Sequence, residues 1–371
     1  MINKLIIRLF IMSFLLISCK NQGGETVNDV PIVSLNPGNN ELSHENVMEF
    51  IDWIEIKADS SIFIGNPDKI EVLASDYYIL DTKKQKCVLR YASDGTLKNK
   101  IGQLGDGPEE YPSIIDFSID RTSNRIFILS YESTIYIYFL NGTFERKVTL
   151  NENIINKLAC NPKGLMTTSS YSSRTIGSDA FLLTEYNRDF KPIEQWFPFS
   201  QSKRPPLAIL GGSRLVTYGE YTYYFDDINL DIISYDSESN HVNTLMSFDL
   251  KNQMPEKFFS DNMRFMSEQL NYNWVKDFVI TNNNVIIGYI YDGKFSMSVL
   301  DRKGKVLASG QYHGPFPQCY PIDDNIIVSP IEVNIYLNYW KNQSGIKQPT
   351  FPITEDTNLL LLKWRILSDL N

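Results

Sequence analysis

Residues 77–101, YYILDTKKQKCVLRYASDGTLKNKI, and residues 126–148, IFILSYESTIYIYFLNGTFERKV, share one layout: strand, polar break, strand, Asx-Gly turn, strand. The apolar runs are rich in Tyr, Phe, Ile and Val, the residues that suit a pleated surface. Asp94-Gly95 and Asn141-Gly142 are two-residue hairpin signals, because a type I′ turn needs positive φ at both central positions. The layout returns at 223–245, YYFDDINLDIISYDSESNHVNTL, and at 285–309, VIIGYIYDGKFSMSVLDRKGKVLAS, with a fainter copy at 181–197, FLLTEYNRDFKPIEQWF. The turn residues Asp94, Asn141, Asn187, Asp236 and Asp301 lie 47, 46, 49 and 65 residues apart. A period of about 40–50 residues with several strands per unit belongs to propeller blades.

The long last step has a visible cause. KNQMPEKFFSDNMRFMSEQLNYNW (251–274) carries Phe258, Phe259, Met263, Met266 and Leu270 at helical spacing, and Pro255 suits a first turn. This predicts an inserted helix near residues 254–272, packed by its apolar stripe or offered to a partner. Five repeat windows are followed by strands around 325–340 and 358–366, while VMEFIDWIEIKAD (47–59) has no local partner. A blade built from both chain ends would close the ring and remove the exposed edges. The expected fold is therefore all-β: a six-bladed β-propeller of four-stranded blades over residues 46–371.

A net charge of -9 over 371 residues leaves no basic footprint for nucleic acid, which is set aside as a partner. At the N-terminus, Lys4 and Arg8 precede an apolar run, Leu9 to Ile17, too short to span a bilayer comfortably. It ends in Leu16-Ile17-Ser18-Cys19, which resembles a bacterial lipobox. Residues 1–19 are read as a lipoprotein signal peptide with Cys19 as the lipid attachment site, and residues 20–45 as a flexible tether rich in Asn, Gly and Pro. With Lys20 rather than Asp after the cysteine, the resemblance to such lipoproteins implies an outer-membrane destination. Cys87, Cys160 and Cys319 remain, without metal-binding spacing; they read as small buried hydrophobes unless the fold brings two together.

Between the first two repeats lies GQLGDGPEEYPSI (102–114). It matches neither a P-loop nor G-x-G-x-x-G. Asp106, Glu109 and Glu110 offer oxygen ligands for Ca²⁺, but not at EF-hand spacing. Its skeleton returns in GQYHGPFPQCYPI (310–322), where Gly102-Gln103, Gly107-Pro108 and Tyr111-Pro112 recur as Gly310-Gln311, Gly314-Pro315 and Tyr320-Pro321. A feature that returns at the same place in a repeat predicts a connector, with the Tyr packed between blades. Gly102 to Tyr111 also resembles the Gly-x-Gly-Pro-Gly-Glu-Tyr element of six-bladed β-propeller lipoproteins of gut Bacteroidetes, relatives of the NHL-repeat propellers. The resemblance runs from about Val47 to the C-terminus and includes the lipobox; Asp106, Glu109 and the extra spacing depart from the element. It implies a lipid-anchored outer-membrane propeller, periplasmic or surface-exposed, of a family whose molecular activity is mostly unassigned.

No H-E-x-x-H or G-x-S-x-G motif occurs, and the histidines are His44, His241 and His313. His313, in the second connector, is a candidate for the central channel. Tyr218, Tyr221, Tyr223 and Tyr224 beside Asp226 and Asp227 are a candidate platform for sugar or peptide, or else inter-blade packing. The polar stretch 169–179 is a candidate rim loop. Two readings follow: a non-catalytic scaffold binding a glycan, a peptide or an envelope protein, or an envelope hydrolase or lyase with a channel-centred site and Ca²⁺ or another divalent metal.

Overall fold

The structure, a computed structural model, describes residues 30–57, 62–65, 67–150, 154–169, 179–199, 215–258, 262–268, 271–313, 318–354 and 357–367. Their strands form six sheets arranged in a ring, a six-bladed β-propeller. Blade 1 spans residues 69–101, blade 2 116–149, blade 3 155–198, blade 4 215–249 and blade 5 274–312; blade 6 takes residues 320–366 and the strand Met48–Lys57. In blades 1 to 5 four strands follow one another outward from the ring axis by antiparallel hairpins. We call the face where the first strands begin the near face, and the face where they end the far face.

The second and third strands of a blade are packed on both sides. Asp76–Asp81 and Gly164–Ser169 are buried at every position, which is why these segments read as apolar runs rather than as an alternation. The apolar side chains gather into six clusters, one at each junction between neighbouring blades. Tyr78, Leu80 and Val88 of blade 1 meet Phe117, Ile128 and Tyr138 of blade 2. Around the ring, Val328, Leu359 and Leu361 of blade 6 meet Ile70, Ile79 and Leu89 of blade 1. Cys87, Cys160 and Cys319 lie in three different junctions and form no disulfide with one another. Burial pushes the Cys87 thiol up to about 12 and the Cys160 thiol well above its ordinary value, so both behave as packed apolar groups.

The residues that set the sequence period have one structural job. Asp94, Asn141, Asn187, Asp236 and Asp301 open the turn between third and fourth strands. Each accepts the backbone N–H two residues on, at 2.9, 3.0, 2.9, 2.9 and 2.8 Å. At Gly95 and Gly142, φ is +79° and +89°, and a Cβ would stand 1.7 Å from Glu55 O and 2.8 Å from Lys100 O, each in the outer strand of the preceding blade. Glycine is therefore required twice over, by the turn and by the contact.

Closure follows the expected route: Met48–Lys57 pairs antiparallel with Thr357–Ile366, so the outermost strand of blade 6 comes from the other end of the chain. Upstream, the structure corrects the tether. Ile32–Ser34 adds a parallel fifth strand to blade 4 and Glu41–Leu42 one to blade 5. Val33 and Leu35 enter the junction of blades 4 and 5, and Leu42 and Val47 that of blades 5 and 6. His44, placed in the tether by sequence, is buried against Trp340 and Trp364, with its Nε2 3.1 Å from Ser344 O. Alternating apolar residues in a Pro- and Asn-rich setting were enough to dock this strap on open sheet edges.

The inserted helix α1 is Asn262–Glu268, shorter than expected, after a 3₁₀ turn at Glu256–Phe258 in the connection between blades 4 and 5. Its stripe is only partly packed: Phe258 is buried, whereas Met263 is 84% exposed. Phe259 and Leu270 lie outside the described residues. The strand expected at 325–340 stops at Glu332 and continues as helix α2, Val333–Asn338, and a 3₁₀ turn, Trp340–Asn342, which bury Tyr336 and Trp340 in the blade 5 and 6 junction.

Shortening the chain separates strap from closure. Removal of residues 1–46 is expected to lower Tm while leaving a folded monomer, whereas removal of residues 1–57 should abolish cooperative unfolding; calorimetry and size-exclusion chromatography check both.

Candidate functional site

A cavity of about 830 Å³ follows the ring axis, lined by the first strands of all six blades. These strands do not hydrogen-bond across blades, so their channel-side backbone groups need other partners. In Lys69–Leu73 the pleat puts Lys69 and Glu71 on one face, and in Asp116–Asp120 it does the same for Asp116 and Ser118. The Lys69 ammonium lies 3.3 Å from Asp116 Oδ1 and 3.2 Å from Glu71 Oε1, and donates to Phe117 O at 2.6 Å. The remaining oxygens reach the next blade. Asp116 Oδ2 accepts from Leu158 N at 3.0 Å, Glu71 Oε2 from Ile119 N at 3.1 Å, and Ser118 Oγ from Cys160 N at 3.1 Å. Side chains thus staple the inner strands of blades 1, 2 and 3. Burial pulls the Lys69 ammonium down, but Asp116 and Glu71 outweigh it and hold its pKa above the ordinary lysine value.

The rest of the lining differs in character. Lys157 of blade 3 is half-buried and Lys276 of blade 5 exposed, and neither ion-pairs with a described carboxylate. Trp274, Tyr218 and Tyr320 add rings to the lining. At the far face Arg121 donates to Val72 O at 2.8 Å and the Tyr218 hydroxyl to Asp324 Oδ1 at 2.7 Å. Among the described residues no three His, Cys, Asp or Glu side chains are grouped to hold a metal ion.

The sequence candidates fall elsewhere. Residues 102–114 cross the near face from blade 1 to blade 2. Glu110 accepts from Gly107 N at 2.9 Å and from Gln103 Nε2, so its carboxylate closes the loop on itself. Asp106 and Glu109 are exposed, and the Glu109 carbonyl accepts from the Tyr138 hydroxyl at 2.7 Å. Tyr111 packs in the blade 1 and 2 junction, as a connector requires, its hydroxyl donating to Lys86 O at 2.9 Å. The second connector is only partly equivalent. Gly310 and Gln311 belong to a strand, Gly314-Pro315 lies outside the described residues, and Tyr320 opens blade 6, facing the blade 6 and 1 junction.

His313 is exposed at the ring's edge, its Nε2 3.6 Å from Glu41 Oε1 of the strap, not in the channel lining. Of the candidate tyrosines of blade 4, strand alternation keeps Tyr221 and Tyr223 on one face and sends Tyr224 to the other. Tyr221 is 45% exposed and stacks on Tyr223, which enters the blade 4 and 5 junction and receives a 2.6 Å hydrogen bond from Arg302; Tyr224 faces the blade 3 and 4 junction. Cys19 and nearly all of 169–179 lie outside the described residues. The channel group Lys69, Glu71 and Asp116 went unread, because a lysine and two acids spread over 48 residues carry no motif.

The family described as a domain of unknown function, DUF4934, matches residues 28–363. The chain belongs to the DUF4934 family. A protein of Bacteroides fragilis NCTC 9343 described as exported has a similar solved structure: TM-score 0.72 at 16% identity, over 91% of this chain and 100% of that one. At that identity the likeness is one of fold. The WD40 repeats of RRP9 align at TM-score 0.49 and 10% identity, over 86% of this chain and 100% of theirs. BamB of Moraxella catarrhalis aligns at 0.37 and 9%, over 88% and 99%; neither alignment is close enough to argue from. No curated protein matches the DUF4934 chain by sequence.

Two substitutions test these roles. Lys69→Met strands the fully buried Asp116 and is expected to cost about 3–5 kcal/mol, with at least half recovered in the Lys69→Met, Asp116→Asn double variant, by urea unfolding. Glu110→Ala should cost about 1–2 kcal/mol, equally in calcium and in chelator, since its oxygens serve the loop itself.

Proposed function

We propose that this DUF4934 protein is a lipid-anchored cell-envelope propeller acting as a non-catalytic binding scaffold, with the axial channel as its ligand position. The chemistry of the channel wall carries the reading. Its Glu71 and Asp116 carboxylates are committed to Lys69 and to backbone N–H groups, so they hold the ring together rather than standing opposed as an acid and base pair. The lining also holds the cations Lys157 and Lys276, the latter 5.6 Å from the Phe295 ring, and the rings of Trp274 and Tyr218, residue types that suit contact with a glycan, a peptide or a segment of an envelope protein. Anchorage is supported by the basic, apolar and Ser18-Cys19 order of the N-terminus and by a structurally similar protein described as exported. An outer-membrane address, facing the periplasm or the surface, follows from Lys20 after the cysteine.

Metabolic labelling with palmitate followed by fractionation tests the anchor: label and membrane association should both be lost in Cys19→Ser, and an unlabelled wild-type chain would overturn it. For the channel, a panel of glycans and peptides should contain a binder that raises Tm with concentration. Lys157→Glu should weaken that shift, and conversion of any binder to product would refute the non-catalytic reading.

A further inference from the structure

A second cavity opens on the far face between blades 2 and 3, away from the channel, with a volume of about 170 Å³. Its floor is apolar, built from Phe127, Ile137, Leu165 and Phe190; its rim carries the guanidiniums of Arg125, Arg146 and Arg188 against the carboxylates of Asp120 and Glu145. Three cations against two anions make a locally positive pocket on a chain whose net charge is -9.

Two of the arginines are held in place. Arg188 bonds Asp120 Oδ2 at 3.2 Å and Pro162 O at 2.8 Å. Arg125 bonds Glu145 Oε2 at 2.5 Å and Ser123 O at 2.6 Å, and lies 3.9 Å over the Phe139 ring. A guanidinium has five N–H donors, so each keeps donors in reserve. Arg146 is different: it ion-pairs with no described carboxylate and rests 5.3 Å from the centroid of the Phe190 ring. A planar cation resting beside a ring, with its donors given to no described residue, is suited to bidentate capture of a carboxylate or sulfate.

We infer that this inter-blade pocket is a binding site for a small organic acid, one carboxylate or sulfate on a body the size of a single six-membered ring. Size sets the body, since an apolar cavity of about 150 Å³ accommodates one benzene. The floor takes the flat apolar face of that body, whether an aromatic ring or the C–H face of a sugar, and Arg146 takes the acid group. The site is independent of the channel reading, because no residue lines both cavities.

The test is calorimetric titration of the full-length protein in detergent with glucuronate and with benzoate, each beside a neutral counterpart, glucose and benzyl alcohol. At least one acid should bind where its neutral counterpart does not, and which one does separates a sugar acid from an aromatic acid. Arg146→Ala should weaken binding tenfold or more and Arg146→Lys less; Arg146 is exposed, so both variants should keep the wild-type Tm. Acids that bind no better than the neutral probes, or binding untouched by Arg146→Ala, would overturn the site. Binding lost in Lys157→Glu but kept in Arg146→Ala would place the acid in the channel and overturn it equally.

Discussion

Pairing between Met48–Lys57 and Thr357–Ile366 is the contact on which the ring depends, because it alone makes one blade out of both ends of the described chain. A blade packs on both faces, so each needs two neighbours, and an open arc would leave two apolar faces in water. Each junction cluster buries a group of large side chains. At about 1.5–3 kcal/mol for a fully buried aliphatic or Phe side chain, one junction carries gross burial energy that matches or exceeds the roughly 5–15 kcal/mol net stability of a domain. No junction is dispensable, and the closing strand holds two of them, with Trp53 on one side and Ile56 on the other.

Closure also explains the strap. The outer strands of a propeller leave unpaired backbone edges, and residues 32–42 cover two of them by parallel pairing before the chain enters the closing strand. Blades 4, 5 and 6 are thereby tied by one continuous segment. In the anchored reading this segment joins lipid to ring, so a pull on the anchor is shared by three blades rather than borne by the single closing strand.

Both cavities come from the same geometry. Blades diverge from the axis as wedges, so the inner strands do not hydrogen-bond to one another and leave a channel, and at the far face a gap opens between blades 2 and 3. On one side of the channel the backbone is satisfied by Lys69, Glu71, Asp116 and Ser118. That staple is architecture, and it leaves contact chemistry to Lys157 on blade 3 and to the lining of blades 4 and 5. Between blades 2 and 3 the turn residues are long and cationic, which turns a packing gap into a pocket of definite charge.

The repeat was legible because its markers are local. A turn that needs an Asx oxygen and positive φ writes Asp94-Gly95 and Asn141-Gly142 into the sequence whatever surrounds it, and strands packed on both faces write continuous apolar runs. Blade number, the mixed closing blade and the connector role of 102–114 were readable for that reason. The strap was not, since a segment of Asn, Gly and Pro docks only because open edges wait for it elsewhere in the ring. Tyr221, Tyr223 and Tyr224 looked like one platform in sequence, and alternation kept Tyr221 stacked on Tyr223 while turning Tyr224 to the opposite face of the blade. Lys69 and Asp116 met, as did Arg125, Arg146 and Arg188, only when the blades were set side by side. Local backbone chemistry determined the fold; the sites depend on distances between blades, which the tertiary structure decides.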